Sequence, residues 1–345
     1  MCAATLRTYA LRVSAAGLGA ALLTLAGGCV LITGTLNPFS NEPQPLQEHV
    51  VFGEGRDKIL MLDVSKMIGS EDEEGALGII RRESTTARVR EELEMAANDD
   101  RVRAVVLRIN SPGGTVTASD IIFHQLMRFK KDTGRPVVAQ MLDMGTSGAY
   151  YVALAADEIV ATPTTVTGSI GVVMYGVNLS GLMDKVGIRN QTIKAGALKD
   201  MGSPLRPMTP QEDTILHDVL KQMQDRFLEL VRERRPGLTA EGAQTIADGR
   251  ILTAEQALAL NLVDRIGYLD DTLRVAGARA GVEEARVVMY RRPQEFAETI
   301  YSRGALHAPQ INLVNLDFAG LGLASPQFMY MWLPSVEAAV GFPQH

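Results

Sequence analysis

The stretch MLDMGTSGAYYVALAADEIVATPTTVTGSIGV, residues 141–172, decides the fold class because it joins a strand, a helix and a second strand in immediate succession. The segment RPVVAQML, which ends at residue 142, predicts the first strand, SGAYYVALAADE predicts the helix and EIVATP predicts the next strand. Such a succession is typical of parallel strands covered by helices. The stretch therefore predicts an α/β fold, with Ser147 where the first strand gives way to the helix.

The same alternation extends to both sides of this stretch. KILMLDV at 58–64 and VRAVVLRIN at 102–110 are apolar runs of strand length, and the segments that follow them have helical spacing. NQTIKAG at 190–196 is one more strand candidate. The residues 209–235 begin with Thr-Pro and predict a long amphipathic helix. These patterns extend the α/β prediction over most of the chain.

The N-terminal residues predict a membrane segment. From Val13 to Leu36 the chain carries no charge, and a helix of that length spans about 36 Å, against about 30 Å for the hydrocarbon core of a bilayer. Arg7 and Arg12 precede this run, so the positive-inside bias leaves the N-terminus in the cytoplasm and the body outside.

Two other interpretations of the N-terminus stay open. LTLAGGC, which ends at Cys29, resembles a bacterial lipoprotein signal in which the cysteine is lipidated, and a fully cleaved leader is the third alternative. All three place the body on the outer side of a membrane.

These patterns divide the chain into four parts. We assign residues 1–36 to the anchor or lipoprotein-type signal, 37–55 to a linker, 56–280 to the main domain and 281–345 to a C-terminal extension. The tail of the extension contains Met and Phe, and it could cover a cavity or contact the membrane.

Composition excludes several classes of function. A net charge of −6 without a basic patch argues against nucleic acid as a partner. Both cysteines, Cys2 and Cys29, lie near the N-terminus, which leaves the body without a disulfide, a thiol nucleophile or a cysteine-based zinc site. The five histidines are scattered and show no paired metal-ligand spacing, so we predict no metal and no cofactor.

Two segments carry residues that could perform chemistry. SPGG at 111–114 follows a predicted buried strand, where a glycine turn can present backbone N–H groups as an oxyanion hole, although Pro-Gly-Gly is also an ordinary tight turn. Ser147 is flanked by Gly145, Gly148 and Ala149, which outlines a nucleophile elbow. A serine in this position is also typical of a helix N-cap.

A serine nucleophile needs a base. No histidine has a supporting local motif, but a Ser-His-Asp triad stays open because triads assemble in space. The alternative is a lysine in IKAGALKDMGSP, either Lys194 or Lys199. A lysine with an ordinary pKa of about 10.4 is charged at neutral pH, so a lysine base must be buried. A carboxylate facing Lys199 would oppose this role, and we expect Asp200 to point away from it.

Four segments in sequence order resemble the signal peptide peptidase A family of serine/lysine peptidases. They are RINSPGGTVTASD, GTSGAYYVALAADEIVATPTTVTGSIGV, IKAGALKDMGSPLRPMTPQE and DGRILTAEQALALNLVDRIGYLDD. The resemblance implies a fold like that of the caseinolytic protease and crotonase superfamily, with repeated strand-strand-helix units, and it makes residues 56–280 the peptidase domain.

The resemblance also implies roles for individual residues. It implies that Ser147 is the nucleophile and that Lys199, ahead of Lys194, is the general base. The amides of Gly114 and Gly148 would form the oxyanion hole, and the hydroxyl of Ser169 would orient the lysine amine.

The family further implies remnant signal peptides as substrates, a ring-like homo-oligomer of short single-domain chains, and a place on the outer side of the bacterial cytoplasmic membrane. Two rival functions are a catalytically silent membrane scaffold of the same fold and a crotonase-like acyl-CoA enzyme. The second gives no reason for an export anchor, because acyl-CoA is cytoplasmic.

Overall fold

The computed structural model describes residues 44–74, 81–293, 295, 299–301 and 328–332. The predicted anchor, signal or leader, together with Cys29, lies outside these residues. Among the helices of the described residues, none combines the length and the apolar character that crossing a bilayer requires.

The secondary structure alternates between strands and helices along the chain. The strands are β1 (Gln47–Phe52), β2 (Asp57–Ser65), β3 (Glu73–Glu74), β4 (Arg81–Arg82), β5 (Val102–Ser111), β6 (Gly113–Thr115), β7 (Val137–Thr146), β8 (Glu158–Ala161), β9 (Val166–Gly168), β10 (Val173–Met174), β11 (Ile251–Thr253), β12 (Arg265–Ile266), β13 (Ala285–Arg291) and β14 (Phe328–Met331). The helices are α1 (Thr85–Ala97), α2 (Val116–Thr133), α3 (Gly148–Ala153), α4 (Ser180–Val186), α5 (Pro210–Arg234), α6 (Ala240–Ile246), α7 (Ala254–Ala259) and α8 (Leu269–Ala280).

A nine-stranded sheet forms the centre of the body. Its main path runs β1-β13-β2-β5-β7-β8-β12, and every neighbouring pair from β13 to β12 is parallel, whereas β1 pairs antiparallel with β13 at the edge. The short strand β9 pairs with the last residues of β7, and β11 pairs with β9. The predicted α/β class is therefore confirmed.

Both faces of this sheet are buried, as a parallel sheet requires. Successive residues of β2 point to opposite faces, so Leu60 and Leu62 join one apolar cluster while Ile59 and Met61 join the other. The first cluster includes residues of α1, α2, α3 and α5, and the second includes residues of α8. Burying one such aliphatic side chain contributes about 1.5–3 kcal/mol, so the two clusters are the main source of stability.

The main sheet extends past both boundaries of the predicted main domain. Residues 47–52, which the sequence assigns to a linker, form β1, and residues 285–291, which it assigns to the C-terminal extension, form β13. β13 pairs with β1 on one side and with β2 on the other. The N-terminal and C-terminal strands of the body therefore lie side by side in the same sheet.

The strand predicted at 190–196 is absent. Residues 190–196 lie on the surface, with Ile193 99% exposed, and no residue from 171 to 210 is buried. A strand requires a hydrogen-bonded neighbour, and the described chain supplies none here. The prediction was wrong because the local composition favours a strand but says nothing about a partner.

A second, three-stranded sheet lies beside the main one. Its order is β10-β14-β6, and β14 runs antiparallel to both neighbours. The strand β6 consists of Gly113, Gly114 and Thr115, so this small sheet includes the predicted oxyanion segment.

Candidate active site

The predicted site residues follow three adjacent strands of the main sheet. β7 pairs with β5 through Gly145 and Ser111, and with β9 through Thr146 and Gly168. Because parallel strands end at the same edge of a sheet, the residues that follow them meet there. The glycines of β6, the serine after β7 and the serine after β9 are brought together at this edge.

Ser147 has the geometry of a strained, buried residue. Its φ angle is +54° and its ψ angle −117°, a sparsely populated combination that costs a residue with a side chain roughly 1–3 kcal/mol. The backbone is held there because its N–H donates to the carbonyl of Gly168 at 2.8 Å and its carbonyl accepts from the N–H of Tyr151 at 2.9 Å. Strain that is held in place by neighbours is typical of functional sites.

The hydroxyl of Ser147 is available for chemistry. Ser147 is 1% exposed, and its Oγ has no hydrogen-bond partner among the described residues. The side chain does not cap α3, so the N-cap interpretation fails. A buried hydroxyl without a partner costs about 1–3 kcal/mol, which a purely structural serine would avoid.

The backbone N atoms of Gly114 and Gly148, the two predicted oxyanion donors, border the same small space. A Cβ atom built on Gly113, whose φ is +105°, would lie 2.8 Å from the backbone N of Gly148. A Cβ atom built on Gly148 would lie 3.1 Å from the N of Gly114. Side chains at these positions would therefore collide with the neighbouring backbone, which includes the carbonyl oxygen of Tyr330, and the glycines keep the space between the amides free of side chains. Two convergent N–H donors are what an oxyanion hole requires.

Ile68 fixes the position of this glycine strand. Its N–H donates to the carbonyl of Gly113 at 2.8 Å, and its carbonyl accepts from the N–H of Thr115 at 2.9 Å. A Cβ atom on Gly114 would lie 1.9 Å from the carbonyl oxygen of Ile68. Only glycine allows this approach at position 114.

Ser169 lies next to the residue that holds the nucleophile. Its φ is +51°, and its N–H donates to the carbonyl of Arg250 at 2.7 Å. The preceding residue, Gly168, accepts the N–H of Ser147. The structure thus brings Ser169 to the same edge as Ser147.

Lys199 lies in an exposed turn. Its backbone N–H donates to the carbonyl of Gly196 at 3.2 Å, and its side chain makes no hydrogen bond to Ser147, whose hydroxyl has no partner in the described part of the chain. The structure of the single chain therefore brings the serine and the glycines together but does not join Lys199 to them.

The charged side chains near Lys199 in the sequence form ion pairs with each other. Lys194 donates to the carboxylate of Asp200 at 2.6 Å, and Arg206 donates to the same carboxylate at 2.7 Å. Hydrogen bonds from Arg206 and Lys194 lower the pKa of the Asp200 carboxyl. Asp200 is thus directed to Lys194 and Arg206.

The histidines offer no competing base in the described residues. His124 and His217 are exposed on α2 and α5, and His49 lies in β1 at the far edge of the main sheet. None of them bonds the hydroxyl of Ser147. Of the described histidines, none is placed to complete a triad in this chain.

Comparison with known proteins gives the family. A family model described as peptidase family S49 matches residues 129–283, which include Ser147, Ser169 and Lys199. A putative signal peptide peptidase SppA of Enterococcus faecium is 32% identical over 260 residues, which are 75% of this chain and 74% of that protein. The chain belongs to the signal peptide peptidase A family, peptidase family S49. It is a serine peptidase.

Other relatives of this S49 peptidase differ in length. A putative protease of Methanocaldococcus jannaschii is 39% identical over 198 residues, which are 57% of this chain and 63% of that protein. Protease 4 of Salmonella typhi is 32% identical over 222 residues, but the aligned part is only 34% of its length. Among solved structures, a membrane-bound stomatin-specific protease aligns over 65% of this chain and 81% of its own, with 15% identity and a TM-score of 0.41.

Sequence reasoning missed one part of the site of this S49 peptidase. The strand β14 pairs with β6, with Tyr330 opposite Gly114. The five consecutive apolar residues FMYMW are a signal that could have predicted a strand. Nothing in the sequence indicates that this strand lies against a glycine turn two hundred residues earlier.

Gly114→Ala in this S49 peptidase is expected to lower kcat/KM for an apolar peptide by about 100-fold or more, the effect of losing one oxyanion donor. The added methyl meets the carbonyl of Ile68 and must displace the strand that carries the amide. Gly69→Ala is the matched control, because a Cβ atom there meets nothing within 4 Å. Near-normal kcat/KM in a folded Gly114→Ala variant would contradict the assigned role.

Proposed function

We propose that the protein is a membrane-anchored serine endopeptidase that uses Ser147 and Lys199 to degrade remnant signal peptides and other hydrophobic peptides. The observation that carries the proposal is the strained backbone and buried, unpartnered hydroxyl of Ser147, which directly precedes Gly148, whose backbone N lies close to that of Gly114. Membership of the family supports it. The finer fold proposed is that of the caseinolytic protease and crotonase superfamily.

The proposed reaction is an acyl transfer in two stages. Lys199 accepts the proton of Ser147 as Oγ attacks the carbonyl carbon of the substrate, and the amides of Gly114 and Gly148 hold the developing oxyanion. The C–N bond then breaks and the lysine returns the proton to the leaving amine. Water attacks the acyl-enzyme in the second stage and releases the acid. Ser169 orients the lysine amine.

A lysine base needs surroundings that exclude water, because burial favours the neutral amine. In the single chain none of residues 171–210 is buried. This segment exposes large apolar side chains, namely Tyr175, Val177, Leu182, Val186, Ile188, Ile193, Leu205 and Met208. Several exposed apolar side chains in one segment favour a protein interface there. We propose that a second copy covers it within a ring-like homo-oligomer, and that assembly brings Lys199 into the site.

The proposed function includes anchoring of the protein to a membrane. Residues 1–36 serve as an anchor or a lipoprotein-type signal with Cys29 as the lipidation site, and the peptidase domain works on the outer face of the bacterial cytoplasmic membrane. The Enterococcus faecium relative is named as a putative signal peptide peptidase, which supports signal peptides as substrates. An anchored enzyme meets such peptides at a raised local concentration.

Labelling with a fluorophosphonate probe tests the proposal. The expected result is one modified tryptic peptide that carries the probe on Ser147, and no labelling after thermal unfolding. A catalytically silent scaffold would not react, and an acyl-CoA enzyme would not need a reactive serine. Modification of a different serine would show that the nucleophile is misassigned.

A further inference from the structure

Arg206 lies between two carboxylates in the segment that carries Lys199. Its Nε and Nη2 donate to the two oxygens of the Asp200 carboxylate at 2.9 and 2.7 Å, and its Nη1 donates to Oε2 of Glu212 at 2.9 Å. Nη2 also donates to Oε1 of Glu212. The guanidinium therefore binds each carboxylate through two nitrogens, an arrangement that fixes the direction of both side chains as well as their charge.

The same guanidinium holds the backbone of the turn. Nη2 of Arg206 donates to the main-chain carbonyl of Asp200 at 3.1 Å, and Nη1 donates to that of Pro207 at 3.1 Å. The N–H of Ser203 donates to the same Asp200 carbonyl at 3.1 Å. Because Asp200 directly follows Lys199, these bonds fix the backbone next to the proposed base.

Glu212 joins this cluster to a helix of the domain. It lies in the first turn of α5, is 1% exposed, and its carboxylate accepts from the backbone N–H of Thr209 at 2.9 Å. Hydrogen bonds from Arg206 and from the Thr209 backbone lower the pKa of Glu212 to about 2, so the carboxylate is charged at neutral pH. Arg206 thus connects the turn that carries Lys199 to the start of α5.

Asp200 is the carboxylate closest to Lys199 in the sequence. The Cα atoms of adjacent residues are about 3.8 Å apart, so the two side chains could pair. A carboxylate beside an ammonium stabilises its charged form, whereas a lysine must be neutral to accept a proton. In the structure the Asp200 carboxylate is bound by Arg206 and by Lys194 instead. This pairing removes the negative charge that would otherwise oppose a neutral Lys199.

The charged groups of this cluster come from two elements. Lys194 and Arg206 face Asp200 from its own segment, and Glu212 faces Arg206 from α5. In the described part of the chain, no further charged side chain forms an ion pair with any of these four. The side chains of Asp200 and Arg206 are 13% and 22% exposed, so solvent and salt screen this pair less than a fully exposed one.

We propose that Arg206 is a positioning residue for the general base. It holds the carboxylate of Asp200 away from the Lys199 amine and fixes the turn to α5, so that the amine enters the site in its neutral form. This inference rests on the proposed function, because it takes Lys199 as the base that accepts the proton of Ser147.

Arg206→Gln in the full-length protein tests the inference. Gln keeps an amide donor for Glu212 but removes the positive charge, which frees Oδ2 of Asp200 to pair with the Lys199 ammonium. The alkaline rise of kcat/KM for an apolar peptide is expected to move to higher pH by about one unit or more. Below that rise, each unit lowers kcat/KM about tenfold. The maximum at high pH should stay near that of the parent, because the lysine is neutral there in both proteins.

A double variant, Arg206→Gln with Asp200→Asn, separates positioning from structural support. Asn removes the negative charge that would pair with Lys199, so the alkaline rise should return to its position in the parent protein. A structural role predicts the opposite, since the second substitution removes further ion pairs from the same turn. Arg206→Lys should shift the rise by less than Arg206→Gln, because an ammonium keeps the charge but not the fork of donors. Arg90→Gln, which removes an exposed ion pair with Glu94 on α1, is the matched control and should keep the parent profile.

The outcomes separate this inference from the proposed function. An alkaline rise at the parent position in a folded Arg206→Gln variant would overturn the inference and leave Lys199 as the base. A loss of equal size at every pH that Asp200→Asn does not reverse, or a lost thermal transition in both variants, would make Arg206 a structural residue and would also overturn it. Full activity of Lys199→Ala would instead overturn the proposed function, in which Lys199 is the base.

Discussion

Ser147→Ala is expected to abolish peptide hydrolysis, with a loss of about 10⁴-fold or more in kcat, as for other serine nucleophiles. The substitution removes the proposed attacking oxygen and leaves the glycine amides in place, so any remaining rate reflects the oxyanion hole and substrate binding. Turnover of an apolar peptide by the purified, full-length protein measures the effect.

Stability distinguishes this loss from misfolding. The hydroxyl of Ser147 has no partner among the described residues, so its removal breaks no hydrogen bond and relieves a buried polar group. The melting temperature of Ser147→Ala should therefore not fall below that of the parent. Activity within about tenfold of the parent would show that another residue carries the acyl group.

Lys199→Ala is expected to have a comparable effect, a loss of about 10³-fold or more in kcat, because the serine then lacks its base. The matched control is Lys194→Ala. Lys194 is paired with Asp200, which keeps its second partner, Arg206, when the lysine is removed. The control should retain activity, and both variants should elute at the same volume as the parent protein in size-exclusion chromatography.

The pH profile adds an independent test of the base. A lysine base predicts activity that rises toward alkaline pH, whereas a limb near pH 6.5 would indicate a histidine. If Lys199→Ala keeps full activity at any pH, the general base must instead be Lys194 or a histidine of the chain. Equal losses of kcat in Lys199→Ala and Lys194→Ala would show that activity depends on the structure of the exposed segment 190–206 and not on Lys199 as a base.

The parts of the fold that the sequence predicted are those with strong local patterns. The runs at 58–64 and 102–110 became β2 and β5 with almost the same bounds, because strands buried on both faces are apolar throughout. Ser147 was predicted as the candidate nucleophile from its small neighbours at a strand end. Its positive φ and its unpartnered hydroxyl are visible only in the structure.

The parts that could not be predicted depend on residues distant in the sequence. β13 is a short run whose partners, β1 and β2, lie more than two hundred residues earlier in the chain. Gly114 lies near Gly148 because β5 and β7 are neighbouring strands. The sequences of the two strands do not indicate that they pair. The strand candidate at 190–196 failed for the same reason, since its surroundings in one chain supply no partner.

The position of β13 sets a limit on how the molecule tolerates trimming by other proteases. A cut just after α8 would remove a strand from between β1 and β2, two strands of the same sheet. The backbone N–H and C=O groups along one edge of β2 would then be unpaired, so that β2 could pair with strands of other molecules and aggregate. A cut after residue 291 leaves the nine-stranded sheet complete, so the residues that follow can be removed without loss of that sheet, whereas residues 285–291 cannot.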